Sequence, residues 1–120
     1  LAAVLAAGAL LIGGIGSVDA ANWYTVGTDS NGITWSIDND SVKKDDKKAV
    51  LDIKAMDYEG YHYIVTEEFN HKKREVKDVK VTLYNPKGEV VKQEQPNKST
   101  RKVEQGTPAY AVYTLIWGDK

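Results

Sequence analysis

From Trp23 onward apolar side chains recur at about every second residue, and turn residues break the runs at short intervals. That period sends one side of each segment into a core and the other into water, the pattern of an antiparallel sheet with one buried face. WYTVG (23–27) and GITWSID (32–38) read as the first two strands, joined through Asn31-Gly32, a pair that tolerates positive φ and favours a hairpin. AVLDIKAMDY (49–58) and YHYIVTEEF (61–69) form the next pair around Glu59-Gly60. In the latter, Tyr61, Tyr63, Val65, Glu67 and Phe69 share one face and His62, Ile64 and Thr66 the other. Both faces are partly apolar, which predicts a central strand. VKDVKVTLY (76–84) alternates Val79, Val81 and Leu83 with Lys80, Thr82 and Tyr84. Asn85-Pro86-Lys87-Gly88 then turns it into EVVKQ, with Pro presetting φ for a type I turn and Gly closing it.

DNDSVKKDDKKA (38–49) reads as a polar loop whose alternating charges serve solvation. Residues 93–105 read as a loop with a short edge strand. GTPAYAVYTLIWG (106–118) has helix punctuation: Thr107 as N-cap, Pro108 at the first helical position and Gly118 as a stop. Ala109, Val112, Tyr113 and Ile116 would then share one face and dock on the sheet. The rival is a buried strand, because Ala109 to Trp117 is a continuous apolar run rich in strand formers. The capping signals favour the helix. The expected fold class is α+β: a single antiparallel sheet of about six strands in meander-like order with a C-terminal helix packed on it.

Ahead of this pattern, LAAVLAAGALLIGGIG is uncharged and runs into SVDA, where Val18 and Ala20 stand at the small-residue positions a signal peptidase reads. The run is shorter than the roughly 20 residues of a membrane span, and no basic stop-transfer residues follow it. Its glycines, Gly8, Gly13, Gly14 and Gly16, weigh against a core helix. Residues 1–20 are therefore expected to be a cleaved export signal, which as given lacks its initiator Met and positive n-region. Residues 21–120 are expected to be one domain. Asp19 is the one charged residue among the first twenty, so the remaining hundred residues carry 16 basic and 16 acidic side chains. That balance argues against a dedicated nucleic-acid binder.

The chain has no cysteine, which excludes a disulfide framework, a zinc-thiolate site and a thiol nucleophile in these residues. Neither His62 nor His71 sits near a serine on a sharp nucleophile turn. Glu67 and Glu68 are neighbours on a strand and point to opposite faces, so they cannot act as an opposed acid pair. One is expected to lean inward and be paired, the other to be solvated. Asp38, Asp40, Asp45 and Asp46 lack the spacing of a calcium loop, and two isolated histidines make no zinc motif. No metal or cofactor is expected, and the reading is not an enzyme. The candidate ligand-binding residues are the basic stretch His71, Lys72, Lys73 and Arg74 with Lys77 and Lys80 downstream. Lys80 and Thr82 are expected to share one face with Asp78 and Arg74. Such a patch would hold an acidic partner, a sulfated glycan or an acidic protein segment. The competing reading is a hairpin tip and sheet edge kept soluble by lysines.

The order of motifs resembles the surface-adhesin protein E-like family of small exported bacterial proteins. The motifs are Trp23-Tyr24, the Ile37-to-Val42 turn IDNDSV, LYNPKGEVV (83–91) and Gly106-Thr107-Pro108 before an apolar terminal segment. The resemblance covers nearly the whole of residues 21–120. It implies a curved antiparallel sheet carrying a C-terminal helix and, from the adhesin itself, binding of host extracellular-matrix proteins. Relatives of that kind often carry a cysteine shortly after the Phe69 position and another near the chain end. His71 and Trp117 stand at about those places here, so packing would replace a bridge. The expected function is thus an exported, non-enzymatic binding domain, a surface adhesin contacting host or matrix macromolecules. The alternative is a periplasmic envelope protein with a structural or housekeeping interaction. The expected location is the cell surface or the periplasm, with no membrane span once the signal is cleaved.

Overall fold

The computed structural model describes residues 21–118; the expected export signal lies outside them. Eight strands form one antiparallel sheet: β1 (Trp23–Thr28), β2 (Thr34–Asp38), β3 (Lys43–Lys44), β4 (Lys48–Met56), β5 (His62–Asn70), β6 (Glu75–Tyr84), β7 (Val90–Glu94) and β8 (Arg101–Lys102). A single helix, α1 (Pro108–Trp117), follows. Six strands run in the order β1-β2-β4-β5-β6-β7, while β3 pairs with β4 and β8 with β6. The α+β class with a C-terminal helix stands, but the count of about six strands was low. The two extra strands are two-residue pairings too short to carry a hydrophobic period. The segment expected to be a loop at 38–49 also holds a 3-10 turn, Asn39–Ser41, and β3.

Three of the hairpin turns are built alike, and each uses a side chain in place of a backbone partner. Asp29 Oδ1 accepts the N–H groups of Asn31 and Ile33 at 2.9 and 3.0 Å. Asp57 Oδ1 accepts those of Glu59 and Tyr61 at 2.9 and 3.1 Å. Asn85 Oδ1 accepts those of Lys87 and Glu89 at 2.9 and 3.0 Å. The fourth residue of each turn is Gly32, Gly60 or Gly88, at φ 81°, 98° and 86°. Asn31 itself does not take positive φ; the glycine after it carries the whole reversal.

Strand register sorts the residues onto two faces. Ile37, Ile53 and Val65 lie in one cross-strand row, and Ala49, Phe69 and Val76 in another. α1 covers this face with Val112, Tyr113 and Ile116, and Val103 completes the core. Phe69 is fully buried at its centre, a burial that contributes about 1.5–3 kcal/mol. The strand alternative for α1 is overturned by its caps: Thr107 Oγ1 accepts the Tyr110 N–H at 3.2 Å, Pro108 opens the first turn, and Gly118 stops it at φ 89°. Among the described residues no helix is long and apolar enough to cross a membrane.

Candidate binding surface at the basic end of the sheet

The β4–β5 register places Lys48 opposite Asn70, so the turn before β4 and the turn after β5 lie side by side. The His71 N–H bonds the Lys47 carbonyl at 2.9 Å, and Asn70 Oδ1 accepts the Lys73 N–H at 3.0 Å. KKDDKK (43–48) and HKKR (71–74), 23 or more residues apart in sequence, thereby form one corner. β8 brings in Lys102, whose Nζ donates to the Lys73 carbonyl at 3.1 Å. The corner gathers Lys43, Lys44, Lys47, Lys48, Lys72, Lys73, Arg74 and Lys102, with Asp45, Asp46, Glu68, Glu75 and Glu104 as the neighbouring carboxylates.

Several of these cations are already committed. Lys44 Nζ donates to the Ile116 carbonyl at 2.7 Å, answering the negative end of α1. Lys48 pairs with Glu68 and Lys102 with Glu75, each at 3.5 Å. Arg74 lies 5.5 Å from the Tyr113 ring centroid and occupies φ 52°, the one non-glycine positive φ among the described residues. Among the described residues Lys43, Lys47, Lys72 and Lys73 make no side-chain hydrogen bond or ion pair. On the acidic side, Asp45 Oδ1 is tied to the Lys48 and Lys47 N–H groups, which hold its carboxyl below the usual carboxylate value. Among the described residues the end therefore presents Lys43 on β3 and Lys47, Lys72 and Lys73 on two adjoining turns, none held by a hydrogen bond or ion pair.

His71 holds the corner together. Its ring stacks on Trp117 with centroids 4.3 Å apart and planes 1° from parallel, and meets the edge of Tyr113 at 5.7 Å. Its Nδ1 donates to the Asp46 carbonyl at 2.8 Å. Trp117 Nε1 donates to the Asp45 carbonyl at 3.0 Å, and the Tyr113 hydroxyl to the His71 carbonyl at 2.8 Å. The two positions singled out by the resemblance are thus in direct contact, joined by stacking.

Of the six sequence-predicted binding residues, Lys72 and Lys73 are free at the corner, while His71 and Arg74 are engaged in packing. Lys77 and Lys80 leave the corner for the face opposite α1. A bulge causes part of this separation: Thr66 pairs with Lys80 but Glu67 pairs with Asp78, which leaves Val79 as the extra residue. The expectation that Asp78 shares a face with Lys80 and Thr82 is corrected accordingly. Asp78 joins Glu67 on the helix side, where Arg101 Nη2 reaches both carboxylates at 2.8 and 3.3 Å.

Burial first, and then a hydrogen bond that the protonated Glu67 donates to Asp78, push the Glu67 carboxyl up to about 8. This cross-strand acid pair was missed in the sequence because strict alternation places Asp78 on the wrong face. One member of the Glu67-Glu68 couple was expected to lean inward and be paired, and it is Glu67. Glu68 is half-buried and ion-paired instead of solvated. Asp38, Asp40, His62 and Lys80 line a trough on the open face. Among the described residues no cluster of three or more His, Asp or Glu side chains is placed to hold a metal ion. No family model, curated protein or solved structure matches this chain.

Proposed function

We propose that the protein is an exported, non-enzymatic binding domain, adhesin-like in role, that holds an acidic glycan at the basic end of its sheet. The observation that carries this reading is the convergence of two lysine-rich turns through the β4–β5 register, leaving Lys43, Lys47, Lys72 and Lys73 uncommitted. Adjacent like charges held on ordered turns raise the local potential and attract a polyanion more than scattered lysines would. The resemblance of the turn order to surface-adhesin protein E-like proteins supports the same reading, with the cleaved export signal expected at residues 1–20 as its route out of the cell. The periplasmic alternative draws on Lys44, Lys48 and Lys102, whose work is internal.

Retention on a heparin-type column separates the two. In the adhesin-like reading, replacing Lys43, Lys47, Lys72 and Lys73 with alanine abolishes retention at moderate salt and flattens its salt dependence. Retention unchanged in that variant would sink it. Protease added to intact cells reports location: digestion without lysis fits surface exposure, and protection fits the periplasm.

A further inference from the structure

The face opposite α1 carries a trough that the basic corner does not use. It is lined by Trp23 of β1 and Asp38 of β2 on one side and Lys80, Thr82 and Tyr84 of β6 on the other, with Asp52, Ile64 and Thr66 of β4 and β5 between them. Its volume of about 590 Å³ falls in the range of small-ligand sites.

The lining mixes flat aromatic surface with polar groups of both signs. The Tyr84 ring stacks on His62 with centroids 5.3 Å apart and planes at 11°. Gly60's carbonyl, 2.9 Å from His62 Nδ1, can only accept, so in the neutral imidazole Nδ1 carries the proton and Nε2 is left as an acceptor. Thr66 Oγ1 donates to Asp52 Oδ1 at 2.6 Å, which leaves Oδ2 unused. Among the described residues Lys80 has no side-chain hydrogen-bond or ion-pair partner. Across the trough, Lys54 Nζ sits 4.5 Å from the Trp23 ring centroid.

We propose that this trough binds a neutral, hydroxyl-rich saccharide. Each other ligand class fails against a named part of the lining. A polyanion would meet Asp38, Asp40 and Asp52. An organic cation would meet Lys80 and find Lys54 already seated at Trp23. An apolar ligand would strand Asp52 and Thr82 without water, at a cost for each unsatisfied group. A sugar ring has an apolar C–H face to lay on Tyr84 and a belt of hydroxyls that both donate and accept. It can therefore serve Asp52, His62 Nε2 and Lys80 together.

The test titrates the full 15N-labelled chain with neutral trisaccharides of the gluco, manno, galacto and N-acetylglucosamine series, with spermidine and dextran sulfate as charged probes. One neutral series is expected to shift the amides of Ile64, Thr66, Lys80 and Thr82 saturably. Asp52→Asn and Lys80→Met should each weaken it roughly tenfold, the loss of one well-placed hydrogen bond of about 1.4 kcal/mol. Lys72→Ala with Lys73→Ala should leave it unchanged, which keeps this site distinct from the corner. The proposal is overturned if no neutral saccharide moves these amides, if Lys80→Met binds as tightly as the parent, or if spermidine binds the trough in preference. Lys80 is exposed and removed from the core, so its variant tests the site without endangering the fold.

Discussion

At Glu67 a carboxyl group lies beside that of Asp78 with a single guanidinium, Arg101, serving both. Two negative charges so close are unfavourable in a buried site, so the pair keeps a proton and Glu67 stays neutral to about pH 8. The consequence for stability has a definite sign. Between the ordinary glutamate value and 8 the folded chain holds a proton that the unfolded chain has lost, so stability falls as pH rises through that window. Melting temperature followed from pH 4.5 to pH 8 should therefore decline in the parent, and the decline should shrink in Glu67→Gln, which imitates the neutral acid. An equal slope in both proteins would remove Glu67 as its source. Phe69→Ala has a plainer outcome: it empties the centre of the core, at a cost of about 3–5 kcal/mol by chemical denaturation.

At the scale of elements, the hairpins and the helix were legible because their chemistry is local. Thr107, Pro108 and Gly118 mark α1 within the span it occupies, and Asn85-Pro86-Lys87-Gly88 forms its turn from adjacent residues. Thr107→Ala should cost about 1 kcal/mol through the lost cap, read as a lower denaturation midpoint. Gly60 is held harder than its fellow turn glycines, because a Cβ there would stand 3.0 Å from Pro86 Cβ while φ stays at 98°. Gly60→Ala should then destabilise by more than Gly32→Ala, whose added Cβ meets nothing, and more than the about 1–2 kcal/mol of left-handed backbone alone.

What stayed hidden was register. The bulge at Val79 has no signature in a run of alternating valines, yet it moves Asp78 to the helix side and separates it from Lys80. Likewise the union of KKDDKK with HKKR depends on which residue of β4 faces which of β5, a fact set by the whole core. The candidate site was thus half visible: Lys72 and Lys73 could be named, but Lys43 and Lys47 could not.

Across the whole molecule the turns divide between two ends. The three side-chain-braced turns after β1, β4 and β6 carry Asp29, Asp57, Glu59 and Glu89 with Lys87, while the other end holds the lysine-rich corner. Binding that depends on the corner should weaken steeply as salt rises, because each neutralised anionic group releases a counterion. A column series in sodium chloride would show this as a falling retention volume, and a flat series would contradict it.

The three braced turns begin at Asp29, Asp57 and Asn85, 28 residues apart each time, and the register Thr34–Met56–His62–Tyr84 sets them together at the end remote from the corner. A molecule laid out in this way has a handle and a crown. Held by its lysines against an anionic layer, it would stand with its strands upright and its crown outward, and Tyr58, 88% exposed at the middle turn, would be carried on the side away from that layer.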